Sequence, residues 1–235
     1  LTVLPLPTAS ASVSPTTICS NSSATFTLTG TPNATVTYNI NGGANQTVTL
    51  NGAGTATISG TYTANTTLNI VSVASAGTPS CVNPQTSSVT LTVLPLPTAS
   101  ASVSPTTICS NSSATFTLTG TPNATVTYNI NGGANQTVTL NGAGTATISG
   151  TYTANTTLNI VSVASAGTPS CVNPQTSSVT LTVLPLPTAS ASVSPTTICS
   201  NSSATFTLTG TPNATVTYNI NGGANQTVTL NGAGT

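Results

Sequence analysis

The side chains best placed to do chemistry in this chain are its five cysteines. Cys19, Cys81, Cys109, Cys171 and Cys199 alternate at spacings of 62 and 28 residues. Structural zinc is held by Cys or His ligands clustered a few residues apart, and no such cluster exists here. What remains is disulfide chemistry. Two thiols joined across a long separation stabilise a fold in an oxidising compartment.

Other reaction chemistry is excluded by what the chain lacks. It has no Lys, Arg, Asp, Glu or His. General acids and bases are drawn mostly from those residues. Its many Ser and Thr hydroxyls have no neighbouring base to activate them as nucleophiles. Tyr38 and Tyr62 stand as lone phenols and read as sheet aromatics. Calcium is excluded for want of carboxylates. No cofactor is expected, and no enzymatic activity. Nucleic acid, bound mainly through Lys and Arg, is not an expected partner. Anionic lipid surfaces are disfavoured for the same reason. A membrane-spanning helix needs about 20 apolar residues. The longest mostly apolar stretch, Leu68–Gly77, is too short and already contains Asn69, Ser72 and Ser75. No direct membrane insertion by this segment is therefore expected. No signal peptide is visible in it, and secretion and anchoring signals are expected outside it.

The elements that must position the cysteines belong to a repeat. Leu1–Thr90 recurs without change as Leu91–Thr180, and a third copy runs from Leu181 to Thr235. Ninety residues is the size of a small domain, longer than a solenoid unit. Within it, apolar residues alternate with Thr and Ser. Ala24–Thr29, Thr35–Ile40, Thr47–Leu50, Thr55–Ile58 and Ser88–Val93 all show period two, the signature of half-buried strands. Thr67–Ala74 adds a strand with less regular alternation. Thr8–Ile18 adds a first strand, interrupted at Pro15. Asn41-Gly42-Gly43 and Asn51-Gly52 separate such runs and predict hairpins. Gly30–Asn33 and Gly60 mark further turns.

Seven short strands per repeat predict an all-β fold: tandem immunoglobulin-like or fibronectin-like sandwiches. The expected core is Phe26, Leu28, Val36, Tyr38, Ile40, Val48, Leu50, Ile58, Tyr62, Leu68, Ile70, Val89, Leu91 and Val93. The expected organisation is residues 1–7, the end of a preceding repeat with its linker; 8–93, a first sandwich; 94–97, a linker; 98–183, a second sandwich; 184–187, a linker; and 188–235, a third sandwich lacking its last strands. Each linker carries Leu-Pro-Leu-Pro. Two closely spaced prolines favour a stiff, extended connector.

This architecture leaves two disulfide schemes open. Cys19 follows the first strand, at the pole where the chain leaves the sandwich. Cys81 lies in the long Ala74–Ser87 loop, near the pole where the chain arrives. The simple scheme pairs Cys19 with Cys81 and Cys109 with Cys171, and is preferred because the loop has the length to fold back. The other pairs Cys19 with Cys171 of the next repeat and staples the junction. Cys199 has its partner outside the chain under either scheme.

Asn21, Asn33, Asn45 and Asn65 each begin an Asn-x-Ser/Thr sequon and are candidate glycosylation sites. A Thr- and Asn-rich chain also produces such triplets by chance. An uncharged surface has no Lys to guard its sheet edges. Glycans or parallel copies of the same filament would cover them.

The run Pro15-Thr16-Thr17-Ile18-Cys19, the segment Ala24–Pro32 and Thr35–Gly43 together resemble the Ig-like repeats of giant cell-surface adhesins of Bacteroidota, including gliding-motility adhesins. The junction Thr90–Pro97 is similar to theirs as well. The resemblance spans the whole chain. It implies extracellular, cell-surface localisation, export by the type IX route, and a role as shaft of a long adhesin or filament that extends a tip domain from the cell. It brings no catalytic residue with it. Perfect identity between copies suits a part that sets length, with neighbouring repeats of the same chain as its partners. The alternatives are a multivalent glycan- or surface-binding repeat, in which weak sites gain strength through avidity, and a laterally self-associating fibre or sheath protein.

Overall fold

Alternation of apolar and hydroxyl residues produces strands throughout the computed structural model, which describes residues 2–235. Leu1, assigned with the end of a preceding repeat, lies outside them. The first repeat forms nine strands: β1 (Ala9–Ser14), β2 (Thr17–Cys19), β3 (Ser22–Gly30), β4 (Thr35–Ile40), β5 (Gln46–Thr49), β6 (Thr55–Tyr62), β7 (Thr66–Ala74), β8 (Val82–Pro84) and β9 (Ser88–Leu94). One sheet runs β1-β3-β6. The other runs β2-β9-β7-β4-β5, with β8 paired to β7. The fold is an immunoglobulin-like β-sandwich.

The core lies between the two sheets. Ala24, Phe26 and Leu28 on β3 meet Val36 and Tyr38 on β4, Leu68, Ile70 and Val73 on β7, and Leu91 on β9. Each fully buried large aliphatic or Phe side chain contributes about 1.5–3 kcal/mol relative to exposure. Ile40, Val48, Ile58, Tyr62, Val89 and Val93 pack only partly buried around this centre. Val13, Ile18, Ala24, Ala34 and Val73, absent from the expected core, are buried within it.

Four local expectations are corrected. Gly60 does not mark a turn; it lies inside β6, opposite Ala24 on β3. The segment Thr8–Ile18 is not one interrupted strand. Pro15 lacks an N–H and cannot sustain the ladder, so the chain changes sheets there. β1 pairs antiparallel with β3, and β2 pairs parallel with β9. Asn51-Gly52 does not close a hairpin, because β5 and β6 belong to different sheets. It begins a turn in which the Asn51 side-chain oxygen accepts bonds from the Ala53 and Thr55 backbone N–H groups and the Thr55 hydroxyl. The Ala74–Ser87 loop carries the short strand β8, added to β7. Asn41-Gly42 does close the expected hairpin. Both residues have positive φ, 52° and 73°, which the tight primed turn requires and which Gly allows at no steric cost.

The second repeat repeats the pattern with β10 (Ala99–Ser104), β11 (Thr107–Cys109), β12 (Ser112–Gly120), β13 (Thr125–Ile130), β14 (Gln136–Thr139), β15 (Thr145–Tyr152), β16 (Thr156–Ala164), β17 (Val172–Pro174) and β18 (Ser178–Leu184). Its sheets run β10-β12-β15 and β11-β18-β16-β13-β14, with β17 on β16. The third copy forms β19 (Ala189–Ser194), β20 (Thr205–Gly210), β21 (Thr215–Tyr218) and β22 (Gln226–Thr229), in two separate two-stranded sheets. By contacts, the chain groups into two compact units that cut across the repeat. One comprises residues 2–102, Phe116–Ile148 and Thr157–Val179; the other comprises Val103–Thr115, Ser149–Thr156 and Thr180–Thr235.

Candidate functional site

The parallel pairing of β2 with β9 decides where Cys19 stands. Its register sets Cys19 opposite Leu94, the last residue of β9, and Ser20 N–H donates to the Leu94 carbonyl at 2.8 Å. Cys19 is thereby held at the point where the chain leaves the first repeat.

Cys171 is held from the other side of the linker. It is fully buried, just ahead of β17. Its carbonyl accepts from Ser165 N–H and its own N–H donates to Ser165 Oγ, both at 2.9 Å. Two residues on, Asn173 Nδ2 donates to the Pro97 carbonyl at 2.9 Å. This loop therefore grips the linker where the chain enters the second repeat.

Cys19 and Cys171 form a disulfide with their Cα atoms 5.5 Å apart, across a sequence separation of 152. Of the two schemes open from sequence, the structure forms the one that joins successive repeats. The pairings Cys19–Cys81 and Cys109–Cys171 are not formed, and Cys81, Cys109 and Cys199 carry free thiols. The physical reason is strand placement. β8 extends the sheet beyond β7 and keeps Cys81 at the arriving pole, while β2 carries Cys19 along β9 to the leaving pole.

The linker itself is short of freedom. Leu94 is bound through Ser20 and Pro97 through Asn173. Thr98 N–H donates to Thr121 Oγ1 at 3.0 Å, and Thr121 N–H donates to the Thr98 carbonyl at 2.9 Å. Gly120 permits that approach, since a Cβ there would collide with the Thr98 carbonyl oxygen. Leu94–Pro97 also lines a shallow recess with Thr121, Ser165 and Ala166.

The same scaffolds recur around the free thiols. Ser110 N–H donates to the Leu184 carbonyl beside Cys109, as Ser20 does beside Cys19. Cys81 shares two bonds with Ser75, and Asn83 Nδ2 donates to the Pro7 carbonyl at 2.8 Å, as Asn173 does to Pro97. The first two repeats thus each present both halves of a bridge, already shaped. Around Cys199 the strand equivalent to β2 is not formed.

The candidate sequon residues are all exposed. Asn21 and Asn33 occupy left-handed turn positions, with φ of 67° and 61°. Asn45 Oδ1 accepts from Asn39 Nδ2, and Asn65 Oδ1 accepts from Val93 N–H at 2.7 Å. The two phenols sit in the sheets. Tyr38 donates to Gln46 Oε1 at 3.0 Å. Tyr62 meets the Phe26 ring edge-on, with centroids 5.8 Å apart; burial first, and Tyr38 second, raise its pKa above the ordinary phenol value.

A cavity of about 620 Å³ lies in the third copy, lined by Phe206, Leu208, Tyr218, Ile220, Val228 and Leu230 among others. These residues match Phe26, Leu28, Tyr38, Ile40, Val48 and Leu50 of the first repeat. The cavity is a sandwich core without the equivalents of β6, β7 and β9 to close it. Among the described residues no three of Cys, His, Asp or Glu come together as a metal cluster, and no helix is long and apolar enough to cross a membrane.

No protein family description matches the chain, and no curated protein matches it. Several solved structures are similar in fold. A marsupial T cell receptor aligns at 11% identity and TM-score 0.46, covering 90% of this chain and 84% of that one. A structure from a 1.5-MDa bacterial ice-binding adhesin aligns at 18% identity and TM-score 0.43, covering 98% and 85%. The D0-D1 domain of intimin aligns at 18% identity and TM-score 0.28, covering 74% and 100%.

Proposed function

We propose that this chain is a length of shaft from a long extracellular adhesin or surface filament, a structural part with no catalytic role. The observation that carries this reading is the Cys19–Cys171 bridge between successive repeats. A tie between modules has value when the modules work as a string. Disulfides of this kind persist in oxidising compartments, which supports a surface location. The identity of the copies supports a part whose output is reach. The absence of every Lys, Arg, Asp, Glu and His supports mechanical rather than chemical work. The resemblance of the repeat to gliding-motility adhesins supports a shaft that holds a tip domain away from the cell.

Electron microscopy of purified non-reduced chains, including a longer array of the same repeat, tests this. Single thin beaded threads are the expected result. Ordered bundles would favour a laterally associating fibre, and binding of one isolated repeat to a glycan array would favour a multivalent binder. Turnover of a substrate by the purified chain would overturn the structural reading.

A further inference from the structure

We propose that the bridge gives the chain a further function, as a limit on its own length under load. Tension follows the shortest covalent path. Cys19 is joined to Cys171, so force applied before one and after the other passes through the sulfurs. Everything between them, a separation of 152 residues, is taken out of the load path whether folded or unfolded.

The size of this effect follows from chain geometry. A fully extended chain gains at most ~3.3–3.6 Å per residue. The closed segment therefore withholds roughly 500 Å of length that an unbridged chain releases on unfolding. The two residues meet where load crosses the junction. Cys19 stands opposite Leu94, at the end of β9, and the loop of Cys171 is tied to Pro97 through Asn173. The bridge and the linker span the same gap side by side.

Exact repetition extends the rule. Cys109 has the strand position and backbone bond that hold Cys19, and Cys81 has the loop that holds Cys171. In any array that continues this repeat, a bridge ending at Cys171 is followed by one starting at Cys199, 28 residues later. Load then crosses two repeats on those 28 residues, which extend to roughly 95 Å. The 180 residues of two unbridged repeats extend to roughly 600 Å. Unfolding of single modules adds little length to such a string. Its biological use rests on the shaft reading, but the length limit itself does not.

The test is to stretch the whole chain by its two ends in optical tweezers, with and without dithiothreitol. The expected fully unfolded length is shorter by roughly 500 Å in the oxidised chain. Cys19→Ser and Cys171→Ser should each give the reduced length in both conditions, and Cys81→Ser should change nothing. Because Cys171 is buried, Cys19→Ser and reduction of the unaltered chain serve as controls that do not depend on that variant folding. Equal lengths with and without reductant would overturn the proposal. So would release of about half the withheld length by Cys81→Ser, the mark of pairing within repeats. Either failure also removes the bridge from the support of the shaft reading, which is then judged separately by the shape of threads at rest.

Discussion

Phe26 and Phe206 occupy the same position in identical sequence, yet Phe26 is 0% exposed and Phe206 is 65% exposed. Burial is conferred by partners, not by residue type. Phe26→Ala should therefore cost about 3–5 kcal/mol by loss of packing and creation of a cavity. Val82→Ala, at a position 58% exposed, should stay within about 0.5 kcal/mol, as for exposed sites. Urea denaturation of the two variants checks the contrast. On the surfaces, hydroxyl and amide pairs do what ion pairs do elsewhere. Thr25 and Ser59 meet across strands at 2.8 Å, Thr67 and Thr90 at 2.9 Å, and Asn69 Nδ2 donates to Asn39 Oδ1 at 2.9 Å. Such cross-strand pairs each contribute roughly 0.2–1 kcal/mol, and salt does not screen them as it screens charges.

At the level of elements, two turns and one strand switch control the topology. Asn51 holds the crossing from β5 to β6 with one side-chain oxygen serving three donors. Asn51→Ala should lower stability by about 1–2 kcal/mol, through loss of these bonds, measured as a drop in the midpoint of chemical denaturation. Asn65 fixes the edge where β9 nears the linker by accepting from Val93 N–H. Asn65→Ala should cost about 1 kcal/mol and speed amide exchange at Val93, read by hydrogen exchange. The switch at Pro15 matters most. By sending Thr17–Cys19 to the sheet of β9, it carries a cysteine to the leaving pole.

For the whole molecule, the absence of Asp, Glu, His, Lys and Arg sets the response to pH. Stability varies with pH through groups whose pKa differs between folded and unfolded states. Tyr62 is such a group, and its pKa is raised, first by burial and then by Tyr38. The fold retains that proton more tightly than the unfolded chain does. Its contribution is complete below the unfolded phenol value of about 10 and is lost as pH rises through the folded value. Melting temperatures of the chain with free thiols alkylated should be flat from about pH 4 to 8 and fall above about pH 10. A shift of many degrees within the flat range would contradict this.

Strand positions, the all-β class and the 90-residue repeat were legible in the residues, because period-two alternation and exact recurrence are local properties of a chain. So were the two disulfide schemes, since cysteine spacing and strand count bound the options. The choice between them was not. It depends on Ile18 leaving the sheet of β1 for that of β9, and on Val82–Pro84 adding to β7. Both are pairings between residues far apart in sequence, whose free energy comes from the partner strand and the core beneath it. The same holds for Asn51-Gly52, whose turn residues mark a reversal but do not say which sheet the next strand joins. Sequence alone determined what each segment becomes; tertiary packing decided which neighbours it meets, and with them which sulfurs join.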